Sequence, residues 1–180
     1  MSRVAVEQYL YLLDEALEGI EKPWHALLGN LASVNDEDWL WVPPGGARTI
    51  RQITSHVGGA VHLYYDRVFG GYSIFGDPVM SWNVPAGNLG IGTGDLDSER
   101  RLEDEPPMAD VIAWVTERAR TFRDAVAQLD DDALIEERIN HRGEPHAVRW
   151  FIGVMIQHYS YHAGEINHIR ALHQGDDGES

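Results

Sequence analysis

The chain has 180 residues, of which 43% are hydrophobic and 24% charged, a composition typical of one globular domain. It contains no cysteine, which excludes disulfides, thiolate-ligated zinc, iron–sulfur clusters and a cysteine nucleophile. Acidic residues outnumber basic residues by 29 to 14, and the net charge of −15 argues against nucleic acid as a partner, because phosphate backbones would repel the chain.

The beginning of the chain predicts its location. Acidic residues occur from Glu7 onward and no long apolar run is present, so we expect neither a signal peptide nor a membrane span. A cytoplasmic protein without membrane partners is therefore the expectation. We also expect a single domain over residues 1–174 and a disordered tail over residues 175–180.

Apolar residues recur every three or four positions in the first part of the chain, which predicts amphipathic helices. The first helix is predicted from Val4 to about Leu31, and Pro23 can kink it. The second begins near Thr49, because Thr49 and Gln52 match a capping box. It is expected to end at the glycine pair 70–71.

The same periodicity predicts two further helices, one from after residues 105–107 to about Leu129 and one from about Ala147 to His173. Four helices of this length are typical of an all-α four-helix bundle.

The connections between the helices add two features. Residues 70–105 form a glycine-rich link between the second and third helices that is long enough to cross the bundle, so these two helices could run parallel. Residues 134–146 carry a turn signal at Arg142-Gly143 and predict a small hairpin before the fourth helix. The expected fold is therefore a four-helix bundle with a long crossover link.

Histidines interrupt the apolar stripes of the second and fourth helices. His158 and His162 are four residues apart and share the buried face of the fourth helix, while His56 points inward from the second. Imidazole binds zinc, nickel, iron or copper, and three histidine ligands leave coordination positions open for water or substrate. The pattern predicts a catalytic metal site in the bundle core.

Glu165 follows His162 on the same face, where a carboxylate is costly unless it is paired or near a cation. Three roles are open for it at the site: a fourth ligand, a general base, or an acceptor for an imidazole N–H. As the candidate base, Glu165 is the predicted catalytic residue. The structural alternative is a glutamate that reaches solvent or pairs with an arginine.

The remaining histidines are expected to be surface residues. His62 and His168 are rotated by roughly 240° and 280° from the inward faces of their helices, and the others lie at helix ends or in loops: His25, His141, His146 and His173. A His-Glu-x-x-His sequence is absent, which argues against a zinc protease. Only one Glu-x-x-His element occurs, which argues against a di-iron bundle.

Two stretches resemble the DinB superfamily. TIRQITSHVGGAVHLY is similar to the start of that family's second helix, and HYSYHAGEINHIRALHQG is similar to its His-x-x-x-His-x-Gly-Gln signature. The whole chain fits the family's four-helix layout. The resemblance implies that His56, His158 and His162 bind a divalent metal, zinc or nickel, and that the protein is a homodimer. Family activities include transferases and isomerases that use low-molecular-weight thiols such as mycothiol or bacillithiol, and hydrolase-like enzymes.

Two positions depart from the family pattern. Glu165 stands where glutamine is usual, which raises the prospect of a fourth protein ligand that would crowd the site. Ala163 stands where an arginine is common.

The leading hypothesis is a metal-dependent transferase or hydrolase that acts on a small molecule, with an external thiol or water as the nucleophile. The alternatives are a non-catalytic metal-binding or dimerisation module, and a bundle that binds no metal. Several aromatic residues could form a pocket wall or simply pack in the core: Trp39, Trp41, Tyr72, Phe75 and Trp82.

Overall fold

The structure, a computed structural model, describes residues 2–70 and 107–175. Its six α-helices in this part of the chain are α1 (Val4–Glu18), α2 (Leu27–Leu31), α3 (Asp36–Leu40), α4 (Ile50–Phe69), α5 (Met108–Val126) and α6 (Val148–Gln174). Two short strands, β1 (Glu137–Ile139) and β2 (Pro145–Ala147), pair antiparallel. The all-α class is confirmed, whereas the predicted crossover link and most of the predicted tail lie outside the described residues.

The four long helices pack side by side, so that α1 contacts α6, α6 contacts α4, α4 contacts α5 and α5 contacts α1. The apolar side chains between them form one core, because each amphipathic helix buries its apolar face against its neighbours. The largest buried side chains include Phe122, Phe151, Met155 and Tyr159. Among the described residues, no helix is long and apolar enough to cross a membrane.

The prediction of one helix from Val4 to Leu31 was wrong. The helix ends at Glu18, because Gly19 adopts a left-handed conformation with φ of 67° and its N–H bonds back to two carbonyls of the last turn. A 3₁₀ turn and the short α2 follow. Ile20 and Trp24 continue the three-to-four-residue apolar spacing of the first predicted helix, which would turn them towards the core, but they are 61% and 63% exposed.

The predicted start of α4 is confirmed in detail. The Thr49 side chain accepts a hydrogen bond from the Gln52 N–H at 3.2 Å, and the Gln52 side chain accepts one from the Thr49 N–H at 2.9 Å. This capping box satisfies two of the backbone donors that a helix start leaves unpaired. It fixes where α4 begins, and therefore which of its residues face α6.

The predicted hairpin is also confirmed. Glu137 pairs with Ala147 and Ile139 with Pro145, and Gly143 in the turn has a φ of 82°. The strand β2 ends at Ala147, where α6 begins at once. The hairpin therefore sets the start of the 27-residue helix α6, which carries His158 and His162.

The expectation that His62 lies at the surface was wrong, since only 2% of it is exposed. Helix α4 packs against α5 as well as α6, so it has two buried faces rather than one. His62 lies on the second of these, beside Arg118 and Thr121 of α5. The prediction for His62 assumed that α4 has one buried face, which is wrong for a helix that packs against two neighbours.

Candidate metal centre

Three imidazole side chains come together between α4 and α6. His56, His158 and His162 each offer one nitrogen, and these three nitrogens lie within 4.8 Å of one another. The ring centroids are 5.0 Å apart for His56 and His158, 5.1 Å for His56 and His162, and 4.4 Å for His158 and His162. We call these residues the three-histidine cluster.

Regular helix geometry brings the cluster together. His158 and His162 are one turn apart on an uninterrupted stretch of α6, so their rings leave the helix on the same side. His56 lies in the second turn of α4, which packs directly on α6. The convergence predicted from the spacing is confirmed, and the role of these residues as ligands stays a prediction.

Glu165 holds one ring of the cluster. A carboxylate oxygen of Glu165 lies 2.7 Å from Nδ1 of His162, and the His162 side chain is only 4% exposed. The hydrogen bond with His162 lowers the pKa of Glu165 below its usual range, although burial acts in the opposite direction. Because an ionised carboxylate only accepts, His162 donates from Nδ1, which leaves Nε2 as the nitrogen that faces away from this bond and can serve a metal.

Burial keeps the imidazoles of His56 and His158 neutral. It is the largest influence that lowers the pKa of His56 to about 4 and that of His158 to about 3. The charge of a protonated His162 would lower both pKa values further. At neutral pH both rings are therefore in the unprotonated form that binds metals.

The donor set fits a divalent metal ion. Nε2 of His158 is buried and has no hydrogen-bond partner among the described residues, and a buried polar atom left unpaired is costly. A cation bound by the three imidazoles would satisfy that atom. The rings of His56 and His158 are half-buried, whereas that of His162 is buried.

The other predicted site residues fall elsewhere. Glu165 lies outside the group of three converging nitrogens. His25, His141 and His168 are exposed, as predicted, while His146 and His173 are half-buried and lie outside the cluster. Trp39 is buried and Trp41 stacks on His173. Both therefore pack against the protein interior, as expected if they do not form a pocket wall. Tyr72, Phe75 and Trp82 lie outside the described residues.

Sequence reasoning missed Arg48, the residue immediately before the N-cap of α4. After burial and the neighbouring histidines, its positive charge also lowers the pKa of His56 and His158. After the hydrogen bond of His162, it also lowers the pKa of Glu165. Its position before the helix that carries His56 was the available signal, but helical periodicity assigns no direction to a loop residue.

A family model described as the DinB superfamily matches residues 20–166, a range that includes the three-histidine cluster and Glu165. No curated protein matches the chain.

Proposed function

The chain belongs to the DinB superfamily, and from this premise we propose that it is a metal-dependent enzyme whose three-histidine cluster binds a divalent ion. The observation that carries the proposal is the convergence of three imidazole nitrogens within 4.8 Å, two of them on half-buried rings. Three protein ligands with access from solvent are typical of catalytic rather than structural metal sites.

Each residue has a distinct part in this proposal. His56, His158 and His162 hold the ion, and Glu165 fixes the orientation and tautomer of His162 through the 2.7 Å hydrogen bond. This contact makes Glu165 a positioning residue, and a role as general base stays a prediction. A divalent ion supplies Lewis-acid chemistry, which lowers the pKa of a thiol or water that reaches it.

The proposed reaction uses an external nucleophile on a small-molecule substrate. The chain has no cysteine of its own, which fits a low-molecular-weight thiol as the nucleophile in a transferase, with water as the nucleophile in a hydrolase. Zinc and nickel both suit three imidazole ligands. The homodimer that the family resemblance implies is part of the proposal.

A non-catalytic metal module is the alternative, and it requires a closed site in which Glu165 is a fourth ligand. Glu165 instead hydrogen-bonds Nδ1 of His162, and its carboxylate lies outside the group of three converging nitrogens. Both observations favour the enzyme.

The decisive experiment is the metal content of the protein purified without an affinity tag. We expect about one equivalent in the wild type, its loss in His158→Ala, and its retention in His168→Ala, which removes an exposed histidine from the same helix. Absence of metal from the wild type, even after incubation with zinc and with nickel, would contradict the proposal.

Activity assays then separate the enzyme from the non-catalytic module. Metal-loaded wild type and His158→Ala are compared for transfer of mycothiol or bacillithiol to a panel of electrophiles, and for ester and amide hydrolysis. Turnover that disappears in His158→Ala supports the enzyme. A protein that holds one equivalent of metal and is inactive in every assay supports the module.

A further inference from the structure

Tyr161 connects the three-histidine cluster to the surface of α6. Its ring centroid lies 5.0 Å from that of His162, and the two ring planes meet at 80°. Tyr161 is 66% exposed, whereas the His162 side chain is only 4% exposed. Among the described residues, Tyr161 is the one ring outside the cluster that contacts a ring of the cluster. The cluster therefore has an exposed aromatic side chain at its edge.

Helix geometry puts Tyr161 on the same side of α6 as two polar groups of the site. His158 precedes it by three residues and Glu165 follows it by four, within the regular helix Val148–Gln174. Side chains at these spacings are neighbours on a helix surface. A molecule bound at the cluster and extending along this side of α6 would therefore lie against Tyr161.

The contact with His162 leaves an aromatic face of Tyr161 uncovered. In a nearly perpendicular pair of rings, the edge of one ring meets one face of the other. Whichever ring supplies the edge, at least one face of the tyrosine stays clear of His162. Gly164, three residues further along α6, is exposed and adds no side chain beside the ring. Among the described residues, a Cβ atom built on Gly164 would meet nothing within 4 Å except its chain neighbours and its own helix backbone.

We propose that the ring of Tyr161 binds a planar apolar group of the substrate while the reacting atom lies at the three-histidine cluster. This inference rests on the proposed function and adds a substrate class, small molecules with an aromatic ring close to the reacting group. Contact between two rings removes apolar surface from water and gains the favourable geometry of aromatic pairs. The rival role for Tyr161 is structural, in which its ring only packs on His162 and holds that imidazole in place.

The test uses the full-length chain loaded with cobalt(II), whose visible spectrum reports the binding of a further ligand. Two hydroxamates that chelate metals through the same group are titrated, benzohydroxamate with a phenyl ring and acetohydroxamate with a methyl group. We expect the wild type to bind benzohydroxamate more tightly. Tyr161→Ala should weaken that binding about fivefold, the worth of an aromatic pair, and leave acetohydroxamate binding and cobalt uptake unchanged. Tyr161→Phe, which keeps the ring, should keep the preference.

Tyr11→Ala is the matched control, because Tyr11 is an exposed tyrosine of α1 whose hydroxyl donates to Glu21 at 2.7 Å. It should keep the preference of the wild type. An equal preference in Tyr161→Ala and wild type, or an equal loss for both hydroxamates in Tyr161→Ala, overturns the inference while the metal site stands. The same holds if Tyr161→Phe loses the preference. A wild type that takes up no cobalt overturns the proposed function and this inference with it.

Discussion

The hydrogen bond between His162 and Glu165 determines how His162 can act. A free imidazole can present either nitrogen to a metal, but Nδ1 of His162 is occupied by the carboxylate at 2.7 Å. Nε2 is therefore the nitrogen that remains for an ion. The same bond gives a buried ring one fixed orientation, which lowers the entropy lost when a metal binds.

Glu165→Gln tests this positioning role. The amide keeps a similar shape and can accept the same hydrogen bond, but it lacks the negative charge that strengthens the bond and makes the imidazole more basic. We expect the metal affinity to fall about tenfold while the fold is kept. The measurement is a competition titration against a chelator of known affinity, with circular dichroism to check the helix content.

Glu117→Gln provides the control, since Glu117 is an exposed glutamate of α5 and its substitution removes the same charge. It should leave the metal affinity as in the wild type. Equal affinities in all three proteins would show that Glu165 has no positioning role.

The individual site residues differ in how well the sequence could predict them. His158 and His162 were recognisable because four-residue spacing puts two side chains on one helix face, whatever the rest of the fold does. For Glu165 the sequence left several roles open, since the choice depends on which ring its carboxylate meets. Arg48 was missed because its position relative to the cluster depends on how the loop before α4 packs.

At the scale of the helix, the errors have specific causes. The end of α1 is set by Gly19, whose left-handed conformation stops the helix before Pro23 is reached. The apolar stripe continued past that point because the next residues, including Leu27, enter the same core from α2. Periodicity thus identified the buried residues better than it identified the helix that carries them.

Helix α4 shows a close contact that the apolar pattern did not predict. A Cβ atom built on Gly58 would overlap the indole ring of Trp114 on α5, so glycine at this position lets the two helices approach each other. We expect Gly58→Ala to lower the free energy of unfolding by about 1–3 kcal/mol, because the ring or the helix must move to make room. Chemical denaturation followed by circular dichroism measures the change.

Gly153→Ala is the matched comparison for this prediction. Gly153 lies inside α6, and among the described residues no atom other than those of its chain neighbours and its own helix backbone lies within 4 Å of the Cβ that alanine would add. Alanine there should raise the free energy of unfolding by up to about 1 kcal/mol, since glycine is the poorer helix former. A Gly58→Ala protein that gains stability as Gly153→Ala does would rule out close packing against Trp114.

At the scale of the whole molecule, the start of the chain and the end of α5 stabilise each other. Asp131 accepts hydrogen bonds from the backbone N–H groups of Ala5 and Val6 in the first turn of α1. Arg3 donates to the carbonyls of Ala127 and Leu129 beyond α5. These contacts join residues more than a hundred positions apart, so no local sequence pattern could predict them, although the helices they join were predicted.

The neutral, buried histidines make the stability of the whole metal-free protein depend on pH. In the folded chain the pKa of His56 is about 4 and that of His158 about 3, against an ordinary value of 6.5. Below about pH 6.5 the unfolded chain therefore binds more protons than the folded chain. The free energy of unfolding of the metal-free protein must then fall as the pH is lowered from about 7 to about 4.5.

The His158→Leu variant measures how much His158 alone contributes to this pH dependence. The carboxylates, which also titrate in acid, contribute equally in wild type and variant. Leucine has no proton to gain on unfolding, so the variant should lose about 2 kcal/mol less than the wild type between about pH 7 and about pH 4.5. Urea denaturation at both pH values, in the presence of a chelator, measures this difference. If wild type and variant lose equal stability, His158 is not held in its neutral form by the fold. The pKa of His158 in the folded chain would then be near its ordinary value of 6.5, and protons would compete with a metal for that ring as soon as the pH falls below about 6.5.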